Sequence, residues 1–475
     1  MSEHLPMEAF ERNAREALED RRLNGALQRA TDRFGAKRRA ALEEMPDWEA
    51  MRERAREVKA EVLAELDRYL DEFARNAEAA GAVVHWARDG EEACRIVGRI
   101  AERVDARRLV KSKSMTTEEI GLNQAMAQAL AGEEPVETDL GEWIVQLAGE
   151  VPSHIIAPAI HKTKEQVSDL FVERLFLEEG TDDIQALTAA ARRVLREHFA
   201  AADLGVSGVN FAVAETGSFL VLENEGNARM CTTLPRVHVA VMGIEKLLPR
   251  FEDLELFLRL LPRSGTGQHL TSYQTIVTGP RRDPDGEGPE EVHVVLLDNG
   301  RAGMLERRVT RQSLACIRCG ACLNVCPVYQ QVGGHAYGSV YPGPIGSVIT
   351  PQLVGLERGR ELPFASSLCG ACGDVCPVKI DLPELLLFLR SEVREGSSAE
   401  NARSPASRAP RLERLAFRLW RWAMSGPRRY RVAAFGARWL ERAGLRLPGT
   451  AAWRRGRELR PFARASFRDR WRGRT

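Results

Sequence analysis

No run of about 18 consecutive apolar residues occurs in the 475-residue chain, so nothing in it is built to span a bilayer as a helix. The glycine patterns of nucleotide and flavin sites are missing too, with no G-x-G-x-x-G and no Walker A loop in the α/β part. No nucleophile elbow stands there either, which leaves serine-hydrolase chemistry without support. Nothing at the N-terminus reads as a secretory signal, so thiols are expected to stay reduced and disulfides are not expected. Cysteine is scarce, at 9 residues. Lysine is absent from the last part of the chain altogether. From Asn401 to Thr475 there are 21 Arg and 4 acidic residues, a balance of +17, while the remaining 400 residues carry −16 beneath an overall charge of +1. Such a split marks a tail with a partner of its own.

The cysteines that are present crowd together. CIRCGACLNVCP places Cys316, Cys319, Cys322 and Cys326 at x2, x2 and x3 spacing ahead of Pro327. SLCGACGDVCP places Cys369, Cys372 and Cys376 ahead of Pro377. Iron–sulfur clusters need several thiolates converging on one small cube; x2 loops deliver three from one turn of chain, and the fourth comes from elsewhere. In two-cluster ferredoxins the last cysteine of each run ligates the other cluster. On that rule Cys316, Cys319, Cys322 and Cys376 make one full set, and Cys326, Cys369 and Cys372 make a second that is one thiolate short. Ser366 stands where the missing cysteine would fall. Its oxygen, a water, a substrate atom or a three-iron cluster would each fill the gap, and spacing does not choose among them. Zinc is disfavoured, because this run puts too many ligands too close together. Cys94 and Cys231 stand alone and are expected to be small buried residues.

The length allows two or three domains, and 44% hydrophobic with 28% charged residues is ordinary for a globular protein. Residues 1–80 read as a helical extension, with apolar residues three and four apart in AREALEDRRLNGALQRA and EVKAEVLAELDRYLDEFARNAEAA. Pro46 and Asp47 mark a break. Residues 81–303 alternate short β-branched runs (AVVHWA, RRLVKSK, SHIIAPA, VNFAVA, SFLVLEN, VHVAVMG, QTIVTG, VHVVLLD) with helical stretches such as TEEIGLNQAMAQALAG and DIQALTAAARRVLREHFAA. This predicts an α/β domain on a mostly parallel sheet. Sites in such sheets gather at the carboxyl ends of the strands.

Three loops there carry polar groups. Lys111-Ser112-Lys113-Ser114 leaves a strand and enters a helix, a candidate anion site. Glu215-Thr216-Gly217 sits at a strand-to-strand turn, and Asn224-Glu225-Gly226-Asn227 follows the next strand. Lys113 and Glu225 are the candidate catalytic residues. Each has an ordinary reading as well: a lysine pair at a strand end is commonly solvated, Asn-Glu-Gly-Asn is also turn chemistry, and His154 and His161 suit structural roles.

Residues 304–394 hold the cysteine runs. The Gly- and Pro-rich insert QQVGGHAYGSVYPGPIGSVITPQL is too long for a compact two-cluster ferredoxin and suits an α-helical ferredoxin-like domain, with DLPELLLFLRSEV packing leucines over the clusters. Residues 395–410 read as a linker. Residues 411–475 form an Arg/Trp-rich helical region suited to an acidic partner or a membrane surface. Nucleic acid is not expected, since no recognised motif accompanies the Trp and Arg.

KSKSMTTEEIGLN, ETDLGEWIVQLAGEVPSHIIAPAIHK, AETGSFLVLENEGNARMCTTLP and GIEKLLP, followed by the seven-cysteine region, closely resemble the lactate utilization protein B family over nearly the whole chain. The resemblance implies an LUD domain, related in fold to sugar-isomerase and CoA-transferase-like α/β proteins, and two 4Fe–4S clusters, the second with a non-cysteine fourth ligand if it is a full cubane. It implies electron transfer beside two companion lactate-utilization subunits in oxidising L-lactate to pyruvate. The expected location is cytoplasmic, with the tail able to hold the protein against the inner face of the membrane. No agreed catalytic set carries over to the LUD loops. For a lactate-like substrate, Lys113 would anchor the carboxylate, and Glu225 would position or deprotonate the hydroxyl. Two other readings stand beside this one: an electron-transfer subunit for another 2-hydroxyacid such as glycolate, and a structural assembly subunit.

Overall fold

The computed structural model describes residues 7–130, 132–174, 176–395, 411–443, 463, 465 and 467–472. The chain divides into two compact units, Met1–Ser407 and Arg408–Thr475. Of the linker expected over 395–410, Glu395 closes a helix, Leu382–Glu395, and the rest lies outside the described residues.

Among the described residues, ten strands build the α/β part: β1 Val83–Ala87, β2 Leu109–Lys111, β3 Val136–Glu137, β4 Leu204–Gly208, β5 Phe211–Val213, β6 Ser218–Glu223, β7 Val237–Gly243, β8 Leu247–Leu248, β9 Tyr273–Val277 and β10 Glu291–Leu297. Six of them form a wholly parallel sheet in the order β1-β10-β7-β4-β2-β3. Its central strands are apolar on both faces, as crossover helices require. Along β7, Val239 and Val241 pack with Ile96, Ile100 and Leu122, while Ala240 and Met242 pack with Leu70, Phe73 and Phe219 on the opposite face. The remaining four strands make a second sheet, β8-β5-β6-β9, with β6 antiparallel to both its neighbours. Three of its strands appear as runs in the sequence, but the runs do not show that they pair apart from the parallel sheet.

Two local expectations change. SHIIAPA is a loop, because the His154 ring accepts hydrogen bonds at Nδ1 from the backbone of Ile156 (3.0 Å) and Ala157 (3.1 Å), and so competes with any ladder. The run TEEIGLNQAMAQALAG is two helices, Met115–Glu119 and Leu122–Ala129, parted at Gly121, whose φ of 65° only glycine adopts readily.

The N-terminal helices Phe10–Glu19, Arg21–Glu43, Trp48–Ala64 and Leu66–Ala79 do not form a separate layer. One apolar core joins Leu27, Met51 and Val58 from these helices, Phe211 and Leu220 from the second sheet, Phe257 from the helix Asp253–Gly265, and Cys319, Cys326, Cys372 and Cys376 from the cysteine region. Leu382, Leu385, Leu386 and Leu389 of the helix Leu382–Glu395 are buried in that same core, the packing expected of DLPELLLFLRSEV. Among the described residues, the regular elements of the cysteine region are helices, with one-turn helices Ala321–Asn324 and Ala371–Asp374 inside the two runs and a longer helix, Gly343–Val354, in the insert.

The second unit contains helices Arg411–Met424, Pro427–Arg442 and Phe467–Arg472. Phe417, Trp420, Trp422, Phe435 and Trp439 are exposed on the first two. Among the described residues, no helix is long and apolar enough to cross a membrane.

Candidate functional site

A parallel sheet sends every strand's carboxyl end to one edge, and here that edge is where charge collects. Lys113 follows β2, Asp139 follows β3, Asn210 follows β4, Glu245 and Lys246 follow β7, and Arg301 follows β10. A cavity of about 280 Å³ opens at this edge. Lys113, Glu225, Lys246, Arg318 and Cys319 all line it. The two catalytic candidates therefore share one cavity, and its wall includes the first cysteine run. Gly265 permits the closeness: a Cβ there would fall 2.5 Å from the Cys319 carbonyl oxygen.

Lys113 has a buried ammonium without a hydrogen-bond partner, and Glu142 Oε1 lies 3.7 Å away. Glu225 reaches solvent at the mouth, with Oε2 accepting from the Leu140 N–H at 3.1 Å. The protein packed around its carboxylate and the nearby Asp139 push its pKa up to about 7. Its neighbours on that loop are committed to structure. Glu223 accepts from the backbone of Ala228 (2.8 Å) and Arg229 (2.6 Å), and Asn224 Oδ1 accepts from the Ser272 N–H at 3.1 Å. Burial lowers Lys246 to about 8 against the pull of Glu245.

Behind the cavity lies a buried ion network that periodicity and spacing did not reveal. Arg301 grips Glu119 with two bonds of 2.9 Å and Glu245 through Nε at 2.7 Å. Arg318 Nη2 stands 3.5 Å from Glu245 Oε1, and its guanidinium lies 4.5 Å from the centre of the Tyr341 ring. The Tyr341 hydroxyl donates to Glu119 at 2.6 Å. Arg301, Glu119 and Glu245 belong to the α/β part, while Arg318 and Tyr341 belong to the cysteine region. Burial raises the pKa of Glu245, and Arg301, Lys246 and Arg318 outweigh it, holding the group at about 2.

The other sequence candidates fall elsewhere. Lys111 is fully buried and pairs with Glu137 at 2.7 Å, so it does not join Lys113 at the cavity. Glu215 sits at the β5–β6 turn, where Oε2 accepts from the Phe251 N–H at 2.8 Å, away from the lining. His154 is buried between backbone donors and Asn324, and His161 bonds Ser153 and Glu150. Both are satisfied structural histidines. Cys94 and Cys231 are buried as expected, their thiols pushed up to about 11 and 12 by burial. A larger cavity of about 950 Å³ is lined by Glu118, Glu137, Glu142 and Glu150, with Arg358 as its cation and no cysteine. Such an acidic wall suits an anionic substrate poorly.

The seven remaining thiols sort into two neighbourhoods. Cys316, Cys319, Cys322 and Cys376 lie within electrostatic range of one another. Cys326, Cys369 and Cys372 do the same in the second group. Among the described residues no three ligand side chains close on a single ion, whereas a cubane spreads its thiolates over the corners of a cube. Backbone N–H groups point at the sulfurs, as cluster sites provide: Arg318 N to Cys316 Sγ and Ile380 N to Cys376 Sγ, both at 3.4 Å. Burial pushes Cys372 up to about 12 and Cys376 to about 11, so iron, which deprotonates a coordinating thiol outright, is what would make these sulfurs thiolates. The donor set fits two iron–sulfur clusters. Arg52, on the helix Trp48–Ala64, holds the last cysteine in place by donating to the carbonyls of Cys376 (2.8 Å) and Asp374 (2.9 Å).

Comparison with known proteins agrees with this anatomy. Family models match for the LUD domain at residues 70–297, the 4Fe-4S dicluster domain at 312–380, and the lactate utilisation protein B C-terminal region at 388–475. The uncharacterized electron transport protein YkgF of Escherichia coli is 42% identical over 97% of this chain and 95% of its own length. Lactate utilization protein B of Bacillus pumilus is 45% identical over 92% of this chain and 90% of its own, and that of Bacillus subtilis 42% over 92% and 88%.

Proposed function

The chain belongs to the lactate utilization protein B family, and on that premise we propose that it is the iron–sulfur electron-transfer subunit of a complex that oxidises L-lactate to pyruvate. One observation carries the reading: a cavity lined by three cations and an acid of raised pKa has Cys319 in its wall. Lys113, Lys246 and Arg318 offer charge to a carboxylate. Glu225 is at hand to hold or accept the proton of a neighbouring hydroxyl. Cys316, Cys319, Cys322 and Cys376 would hold the first cluster, beside the cavity, and Cys326, Cys369 and Cys372 the second. The two thiol neighbourhoods support this partition. When bound, the clusters supply one-electron redox capacity. Cys369 is exposed, which makes the second cluster the point of exchange with a companion subunit.

The test uses Lys113→Ala and Glu225→Gln, made singly and checked for intact iron content, in the complex assembled with its two companion subunits. Lactate oxidation should fall about 100-fold or more in each, the scale of losing a charged anchor or a general base. Wild-type rates in both would move the chemistry to a companion and leave this chain as a conductor of electrons.

For location, we propose a cytoplasmic protein whose tail lies on an anionic membrane surface. Arginines between exposed Trp and Phe support it. A chain ending near Gly396 should keep its clusters and lose salt-sensitive binding to anionic vesicles; equal binding by the shortened chain would refute the assignment.

A further inference from the structure

The second thiol neighbourhood has three sulfurs, and the two cysteine runs share a backbone pattern. In the first run Arg318 has φ 60° and Gly320 φ 74°, ahead of the helical turn Ala321–Asn324. In the second, Leu368 has φ 56° and Gly370 φ 89°, ahead of the turn Ala371–Asp374. Left-handed backbone at an arginine or a leucine costs about 1 to 2 kcal/mol, so its recurrence at matching positions reflects a loop shape imposed twice. That shape has a purpose in the first run, where it aims the Arg318 N–H at Cys316 Sγ, 3.4 Å away. In the second run the Leu368 N–H points at Ser366 Oγ, 3.1 Å away. Oxygen is the smaller atom, and the shorter distance follows. Ser366 Oγ thus holds, within its own loop, the place that Cys316 Sγ holds in the other. The backbone at this position is also clamped: Arg390 donates to the Ser366 carbonyl at 2.8 Å and to the Pro363 carbonyl at 2.7 Å.

We propose that Ser366 is the fourth ligand of the second cluster, bound through Oγ as an alkoxide; this rests on the ligand partition given above. An Fe–O bond forms in place of a water on that iron, and the hydroxyl proton leaves to solvent, with no change in electron count. Water is within reach, since Ser366 is half-buried and Cys369 beside it is exposed. The Leu368 N–H stabilises the oxyanion, and a hard alkoxide suits ferric iron, so this cluster is the more reducing for having it.

The experiment compares the anaerobically purified full chain with Ser366→Ala and Ser366→Cys by iron analysis, Mössbauer and EPR spectroscopy, and a redox titration. Wild type should hold about eight iron and show no broadening of the second cluster's EPR signal in water enriched in the magnetic oxygen isotope. Ser366→Ala should gain that broadening and lose one iron to mild oxidation, giving a three-iron signal. Ser366→Cys should keep its iron and shift one potential upward. Isotope broadening in the wild type would overturn the proposal. So would a Ser366→Ala protein indistinguishable from it. If Ser366→Ala fails to assemble, the wild-type broadening and the Ser366→Cys potential decide. About four iron in the wild type would instead sink the two-set partition itself.

Discussion

At the scale of single residues, the site turns on a carboxyl group held out of its usual range. Glu225 is pushed up to about 7 by the protein around it and by Asp139, whereas Glu245, a short way along the same edge, is held at about 2 by Arg301, Lys246 and Arg318. Pairs of carboxyls driven apart in this way mark out acid–base and structural duties. A group with a pKa near 7 is protonated below it and charged above it, so the basic form of Glu225 grows as pH rises through neutrality. Lactate oxidation by the assembled complex should therefore rise with pH through about 7. Glu225→Gln should flatten the limb. A rate profile with the limb intact in that variant would remove Glu225 from the chemistry. Glu225 was legible in the sequence as a polar loop residue after a strand. Lys246 and Arg318 were not, because their meaning depends on partners that only the folded chain brings together.

Elements show the same division. The cysteines of each run lie three or four residues apart, so their clustering is local and the sequence displays it openly. The central strands β7 and β10 are apolar on both faces and stood out as β-branched runs, whereas β3 and the glycine-bearing β4 did not. The loop around His154 looked like one more such run, and only the ring's bonds to its own backbone reveal otherwise. The helix Trp48–Ala64 is the largest surprise among the elements. Its apolar spacing predicted a scaffold, yet Arg52 reaches from it to the carbonyls of Cys376 and Asp374, and Lys379 pairs with its Glu49 and Glu53. Arg52→Ala should cost about 2 to 3 kcal/mol, the scale of bonds made by a charged donor, and should speed iron loss to a chelator. Arg52→Lys should restore part of both. Unaltered iron retention in Arg52→Ala would show that the loop is held without this contact.

At the scale of the whole molecule, the α/β part and the cysteine region share one core and one ion network. Arg301 is fully enclosed between Glu119 and Glu245. Arg301→Met should destabilise the chain by about 3 to 5 kcal/mol, because it leaves two buried carboxylates without their shared cation. In the wild type, the depressed pKa of Glu245 contributes stability above the ordinary carboxylate range, and that contribution is lost as pH falls toward about 2. Denaturation of both proteins across acid pH checks this, and parallel curves would contradict it. The fold class was legible from texture and spacing. The junction was not, since Glu119, Glu245, Arg301, Arg318 and Tyr341 lie far apart in sequence and each looks like an ordinary polar residue.

We propose that the cavity seats the organic acid against the first cluster. Electron–nuclear double resonance on the reduced full-length chain, with L-lactate carrying a magnetic label at its carboxyl carbon, tests it directly. A resolved coupling between that carbon and the first cluster is expected, present in wild type and lost in Lys113→Ala with iron content intact. No coupling at saturating lactate in a fully loaded protein would place the substrate elsewhere in the complex.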